Sequence, residues 1–348
     1  MYFIDGKTKL EISKALFMDA RKVTQLLKEA QEQKLVRIYI PETVGETYSS
    51  LLVRRFPHLQ RVFVVPALVP TQDPRAKEKE RVALLQRIGI TAADYLEEIN
   101  GADNNPLHVG IGGGETLFEF VMALPERERN MDVHALMVVG RGDTGDSPTH
   151  PDASINASLL WSKCGRQPRR CRFATMTPYA PKIAKGQVAE YFRAQLKQLA
   201  DNPKVKAVVR ALDNLDVAFT SLLSFDSPET DPQTMLDLLA PAVTLDDLMR
   251  QGAVADMSYC LFDSEGTETP RDPDGKPISK DSWRFFLTPG HYSGLGGVAF
   301  YKKMVEDGKK VVVLAGPSRV AGLKAALRGK LFNVLITDEG TARELTKP

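Results

Sequence analysis

Leu107–Leu124, LHVGIGGGETLFEFVMAL, is the stretch from which the rest of the chain is read. Leu107, Val109 and Ile111 alternate as a short buried strand does. Gly112, Gly113 and Gly114 make a turn, and from Thr116 onward Leu117, Phe120, Val121 and Leu124 recur at helical spacing. A strand, a glycine turn and a helix start leave bare backbone N–H groups at a positive helix end, a place suited to an anion or a cluster of sugar hydroxyls. Lacking Cβ atoms, the glycines let a ligand reach the backbone. Two nucleotide motifs are excluded. A G-x-G-x-x-G fingerprint built on Gly110 and Gly112 needs glycine where Glu115 stands, and no Gly-Lys-Ser/Thr ending follows. Glu115 also puts a negative charge where a dianion would sit. A tight strand-to-helix turn that binds nothing fits the same residues.

The 348 residues allow one to three domains, and 43% hydrophobic with 26% charged residues is ordinary for a soluble globular chain. A net charge of +2 selects no partner by itself. The first forty residues, however, hold eight basic side chains against five acidic ones, a mildly basic arm. Cys164, Cys171 and Cys260 make neither a disulfide framework nor a CxxC pair, which fits a reducing, cytoplasmic setting. No apolar run approaches the roughly 20 residues of a membrane span, and the N-terminus has no signal core. With no histidine or cysteine cluster, neither a metal nor a cofactor is expected.

Residues 8–16 read as a short helix with Leu10, Ile12, Ala15 and Leu16 inward. Asp19 then caps a second helix that buries Val23, Leu26, Leu27 and Ala30 and exposes Arg21, Lys22, Thr24, Gln25 and Lys28. Leu35–Ile40 alternates as a strand. Two short helices with a basic second start suit a DNA-binding helix-turn-helix, and equally any small helical hairpin.

Beyond a connector and a short helix in 41–58, strands at Gln60–Pro66, Leu107–Ile111, Val133–Val139, Val217–Leu223, Met257–Asp263, Lys310–Ala315 and Val334–Thr337 alternate with helices, an α/β pattern. The charged run Arg75–Arg81 reads as the solvated start of a helix ending at Ile88, with a separate helix over Thr91–Ile99. Further helices are expected from Asp152 to Trp161, over 188–199 and 205–212, from Leu245 to Gln251, over Val320–Arg328 and at the C-terminus. The basic segment 163–172 reads as a solvated loop or an oligomer contact rather than a nucleic-acid site, Asp272–Gly275 as a hairpin turn, and 288–304, with His291, as a loop rather than a lid. Arg141, following the strand after the glycine turn, would stand beside it if the two strands are parallel neighbours, and its fork suits a phosphate.

Four stretches in this order carry a resemblance to a known family: Leu10–Ile40, VGIGGGETL, GAVADMSYCLFDSEG and LAGPSRVAGLKAALRGKLFNVLITDEGTARELT. The chain resembles the SorC (sorbitol-operon regulator) family of bacterial transcriptional regulators. That resemblance implies an N-terminal helix-turn-helix over 1–45 and, over 46–348, a large α/β effector domain with the fold of sugar-phosphate isomerases and coenzyme A transferases. It implies double-stranded operator DNA as one partner and a small sugar phosphate or polyol as the other, in a homo-oligomer, dimer or tetramer. Gly112, Gly113, Gly114, Glu115, Thr116, Arg141, Asp256 and Arg319 would line the effector site, and Arg21, Lys22, Thr24, Gln25 and Lys28 would face DNA. In the family Asp256 resembles an acidic residue that accepts from sugar hydroxyls, although an Asp holding a backbone turn fits as well.

Relative to the family this sequence starts almost inside the pattern, so either the true start lies upstream or the first helix is shortened; Phe17 stands where the turn usually has glycine, and Arg319 replaces an effector-contacting lysine. The family usually has a glycine-rich turn after the strand Val217–Leu223, where this chain has TSLLSF, and 288–304 is additional. Two other readings are open. One is a sensor with impaired DNA binding that acts through protein partners. The other is a sugar-phosphate isomerase-like enzyme, for which Asp256 and Glu115 supply carboxylates but no histidine or lysine converges with them.

Overall fold

The computed structural model describes residues 8–32, 43–67, 74–100, 105–136, 153–164, 171–172, 201–226, 245–258, 260–269, 289–290, 292–295, 297–317 and 319–347. The expected strand at 35–40, Arg141, the helix at 188–199, the turn at 272–275 and His291 lie outside them. The chain divides into two compact units, Met1–Pro41 and Glu42–Pro348.

In the first unit, α1 (Lys9–Leu16) opens on a reciprocal cap. The Glu11 amide donates to Thr8 Oγ1 at 3.2 Å, and the Thr8 amide donates to Glu11 Oε2 at 2.7 Å. Phe17 closes α1 in the left-handed conformation (φ 53°), and Asp19 Oδ1 accepts from the Arg21 amide at 2.6 Å as α2 (Ala20–Glu32) begins. Ile12 and Val23 are buried, but Leu16 and Leu26 are 47% and 40% exposed and Leu10 is 58% exposed, against the expected inward set. Two short helices share one narrow seam, and Ile12 and Val23 fill it.

In the second unit, β1 (Arg61–Val65), β2 (Leu107–Ile111), β3 (Met131–Ala135), β4 (Cys171–Arg172), β5 (Val217–Thr220), β9 (Lys310–Ala315) and β10 (Val334–Asp338) form one parallel sheet in the order β1-β10-β9-β5-β2-β3-β4. A small antiparallel sheet holds β6 (Leu222–Ser224), β7 (Ala255–Met257) and β8 (Cys260–Phe262). Among the described residues the helices are α3 (Thr43–Arg55), α4 (Pro74–Asn100), α5 (Glu115–Ala123), α6 (Ala153–Ser162), α7 (Pro203–Ala211), α8 (Leu245–Arg250), α9 (Val298–Glu306), α10 (Val320–Arg328) and α11 (Glu339–Thr346).

Successive strand residues serve opposite faces. Val109, Ile111, Val133, Phe219, Val312, Leu314 and Ile336 pack with α4, α5 and α6. Ala218, Val311, Val313 and Leu335 pack with α3, α9, α10, α11 and the small sheet. Strands covered on both faces read as unbroken apolar runs, which is why KVVVLA and VLITD were legible as strands. No helix of the described residues is long and apolar enough to cross a membrane.

Five local expectations are corrected. The two helices expected around Gly89 are one, α4, 27 residues long. Gly89 is not a break but a crossing point, since a Cβ there would stand 2.6 Å from the Glu119 carbonyl carbon of α5. Cys171 and Arg172, expected in a loop, pair with Val133 and His134 as the edge strand β4. The strand expected at Val217–Leu223 divides at Ser221, where the chain leaves the parallel sheet as β5 and enters the small one as β6. The single strand expected from Met257 is a hairpin, β7 to β8, pairing Met257 with Cys260 and turning through Ser258 at φ 51°. The end of the segment 288–304 is helical rather than loop, in a helix that runs Val298–Glu306 with Val298, Phe300, Tyr301 and Met304 buried at helical spacing.

Candidate functional site

The chain order places a topological switch point. From β2 the strands proceed one way, to β3 and β4. From β5, which lies beside β2, they proceed the other way, to β9 and β10. Open parallel sheets bind ligands outside the carboxyl ends of strands at such a switch point. Here those ends carry Gly112–Glu115 after β2 and Ser221 after β5.

The Gly112 amide donates to Phe219 O at 2.9 Å, so the glycine turn is anchored to β5 as it leaves the sheet. Phe120 of α5 stacks on Phe219 with ring centroids 4.7 Å apart, which fixes the helix over the same strand. Gly114 is the N-cap of α5 at φ 103°, a conformation that favours glycine, and among the described residues no side chain caps the helix. The α5 start therefore keeps backbone N–H groups without a side-chain cap at its positive end. Across the turn, Ser258 Oγ lies 3.6 Å from where a Cβ on Gly112 would stand, and Ser221 Oγ lies 3.6 Å from the corresponding point on Gly114. Thr220 and Ser258 share a hydroxyl–hydroxyl hydrogen bond of 2.8 Å. The wall facing the glycines is thus lined by hydroxyls.

The β2–β3 register is parallel and adjacent, the condition set for Arg141 to stand by the turn, but Arg141 itself lies outside the described residues. Glu115 and Thr116 open α5 and are half-buried. Asp256 sits in β7, two residues before Ser258, and is 8% exposed. Arg319 is the N-cap of α10, whose first turn packs on the small sheet through the Gly322 amide, a donor to Ser224 Oγ at 3.0 Å. The hairpin β7–β8 and the start of α10 are therefore the elements gathered around β6, next to the glycine turn.

Three contributors were missed in the sequence. Arg81, the last residue of the charged run read as a solvated face, forks onto Glu115 at 2.8 and 3.1 Å and onto Glu78 at 2.9 and 2.8 Å. Its hydrogen bonds to these two carboxylates, Glu78 first and then Glu115, hold its guanidinium charged well above the ordinary arginine range. Asn156 of α6 donates through Nδ2 to Gly112 O at 3.1 Å and to Gly114 O at 3.4 Å. Tyr301 of α9 is fully buried, its phenol is pushed upward by burial, and its hydroxyl, in the neighbourhood of Ser258, makes no well-formed hydrogen bond. The spacing of Glu78 and Arg81, three residues apart on a helix, was the one available signal; the other contacts cross the fold.

In the first unit, Arg21, Lys22, Thr24, Gln25 and Lys28 are all exposed, while Val23 between them is buried. Gln25 Nε2 donates to Glu29 Oε1 at 2.7 Å and Thr24 Oγ1 donates to Ala20 O at 3.0 Å. Phe17, at the turn, is 97% exposed.

A parallel α/β sheet with a glycine turn at its switch point, preceded by a unit bearing a helix pair with an exposed basic face, defines the class: a ligand-binding α/β domain joined to a small helical unit. The chain belongs to the family described as "Putative sugar-binding domain", which matches residues 47–279 and 299–347. Its full length is similar to the sorbitol operon regulator of Klebsiella pneumoniae, 22% identical over 100% of this chain and 95% of that one. It is similar also to the uncharacterized transcriptional regulator YjhU of Escherichia coli (strain K12), 22% identical over 99% of this chain and 92% of that one. The crystal structure of full-length SorC from Klebsiella pneumoniae shares the fold with a TM-score of 0.67 at 17% identity, covering 99% of this chain and 96% of that one. The SorC-family resemblance read from the four sequence stretches is thereby borne out.

Proposed function

We propose that this chain is a transcriptional regulator. It binds double-stranded operator DNA through the exposed face of α2, and a small sugar, sugar phosphate or polyol at the glycine turn modulates that binding. The observation that carries the reading is the extent of the likeness: it runs through both units to proteins named as regulators, not through the sugar-binding domain alone. Those relatives are named as regulators rather than enzymes, which favours a sensing pocket over a catalytic one.

Arg21, Lys22 and Lys28 would meet phosphates and fix the register, whereas Gln25, once released from Glu29, would reach a base edge. The effector would act by population shift, binding one arrangement of the protein more tightly than another. Helix-turn-helix proteins read two half-sites as dimers, so a homo-oligomer follows from the same reading, as does a cytoplasmic location.

Gel-shift titration against DNA upstream of the chain's own gene, in rising salt, tests the DNA half. Specific binding should fall steeply with salt, and R21A/K22A should flatten that dependence by about two units of slope. Binding that ignores both salt and the double substitution would remove α2 from the interface. A second arm repeats the titration with sugars and polyols; no member altering the DNA affinity would remove the sensing half.

A further inference from the structure

The described charges around the glycine turn bear on whether the effector is phosphorylated, a question that rests on the sugar-site reading and narrows it. Glu115 brings a carboxylate to the first turn of α5, where it offsets the positive helix end that a phosphate would otherwise use. Arg81 pairs with that carboxylate but is shared with Glu78, so two carboxylates divide one guanidinium and the trio keeps one negative charge in excess. Both the helix end and the cation paired beside it are committed before any ligand arrives.

Asn156 supplies an independent observation. Its Nδ2 is fixed by donation to the Gly112 and Gly114 carbonyls, which leaves Oδ1 as the acceptor end of an amide set against the turn. The residue is fully buried, and Oδ1 has no hydrogen-bond partner among the described residues. A buried acceptor without a donor is costly and calls for one. Phosphate dianions bring acceptors only. Sugar hydroxyls bring donors and acceptors together, and Ser221 and Ser258 on the facing wall can serve either role.

We propose that the ligand group seated on the glycine turn is a set of uncharged hydroxyls, so that the effector is an unphosphorylated sugar or polyol, and that Glu115, held by Arg81, sets this preference. Asn156 Oδ1 accepts from the ligand, and the Glu115 carboxylate repels its phosphorylated counterpart.

Isothermal titration of the full chain with matched probes tests this: sorbitol against sorbitol 6-phosphate, fructose against fructose 6-phosphate, and inorganic phosphate alone. Wild type should take the free member of the productive pair at least about tenfold more tightly than its phosphate. Glu115→Gln should shrink that ratio about tenfold, mainly by tightening the phosphorylated member. Should E115Q fail to fold, salt provides the second measurement. Raising NaCl screens like-charge repulsion and should tighten the phosphorylated member relative to the free one in wild type. A wild type that prefers the phosphorylated member, or a free-sugar preference that neither E115Q nor salt moves, overturns the proposal while leaving the sugar site standing. A chain that takes no member of either pair overturns the sugar-site reading and this one with it.

Discussion

The guanidinium of Arg81 on α4 and the carboxylate of Glu115 on α5 meet in a two-pronged fork, 34 residues apart in sequence, with contacts of 2.8 and 3.1 Å. That fork ties the long helix to the residue that opens α5. Both side chains stay partly exposed, 38% for Arg81 and 28% for Glu115, so solvent and salt weaken the attraction. Arg81→Gln should cost about 1 kcal/mol, seen as a fall of roughly 2 °C in Tm. In about 0.5 M NaCl the difference between the two proteins should shrink. A Tm difference that salt leaves untouched would mean packing, not charge, is what the arginine supplies.

Gly89 carries a sharper prediction because it works against helix propensity. In an exposed helix, Gly→Ala gains about 1 kcal/mol. Here the added methyl would meet the α5 backbone at 2.6 to 2.8 Å, and a backbone cannot swing aside as a side chain can. Gly89→Ala should therefore destabilise by about 2–3 kcal/mol, read as a lower urea midpoint at unchanged m. An alanine variant as stable as wild type would show that α4 and α5 do not touch there.

Tyr301 predicts the opposite sign. Its hydroxyl is buried without a well-formed partner, so it bears a desolvation cost that phenylalanine does not. Tyr301→Phe should raise stability by about 1 kcal/mol in the ligand-free protein. If Tm falls instead, the hydroxyl is paired in solution, with Ser258 as the neighbour able to pair it.

His58 gives the pH dependence. Burial first, and then the charge of Lys330, hold its pKa below the ordinary value of 6.5 in the folded chain. Between those two values the unfolded chain binds more protons than the folded one. The contribution of His58 is thus fully present above about pH 6.5 and is lost as pH falls through the depressed folded value. Comparing Tm at about pH 7.5 and about pH 5, wild type should lose more than His58→Gln. Equal losses would remove His58 from the acid response.

The alternation of apolar residues revealed most strands and helices because a parallel sheet buried on two faces leaves little ambiguity in runs such as KVVVLA. Where the reading missed, long-range contacts overrode local signals. Gly89 looks like a helix break until α5 lies across it. Ser221 lies inside one apolar run, VAFTSLLS, and only the presence of a second sheet divides that run in two. MSYCLF is likewise one apolar run, which the pairing of Met257 with Cys260 turns back on itself. At the candidate site the glycine turn was legible from its own spacing. Arg81 and Asn156 were not, since each reaches the turn from an element that local pattern cannot place there.

The pairing of β1 with β10 bears on how the protein is made. Among the described strands of its sheet β1 is synthesised first, and its only neighbour there begins at Val334. At about 5–20 residues per second, that first strand waits on the order of 15–60 s for a mate. Throughout that interval the nascent chain carries an apolar ribbon with open backbone groups, the form most prone to capture by a neighbouring polypeptide. Yield in a cell should therefore depend on holdase chaperones, and on the integrity of β10, more than equilibrium stability alone would suggest.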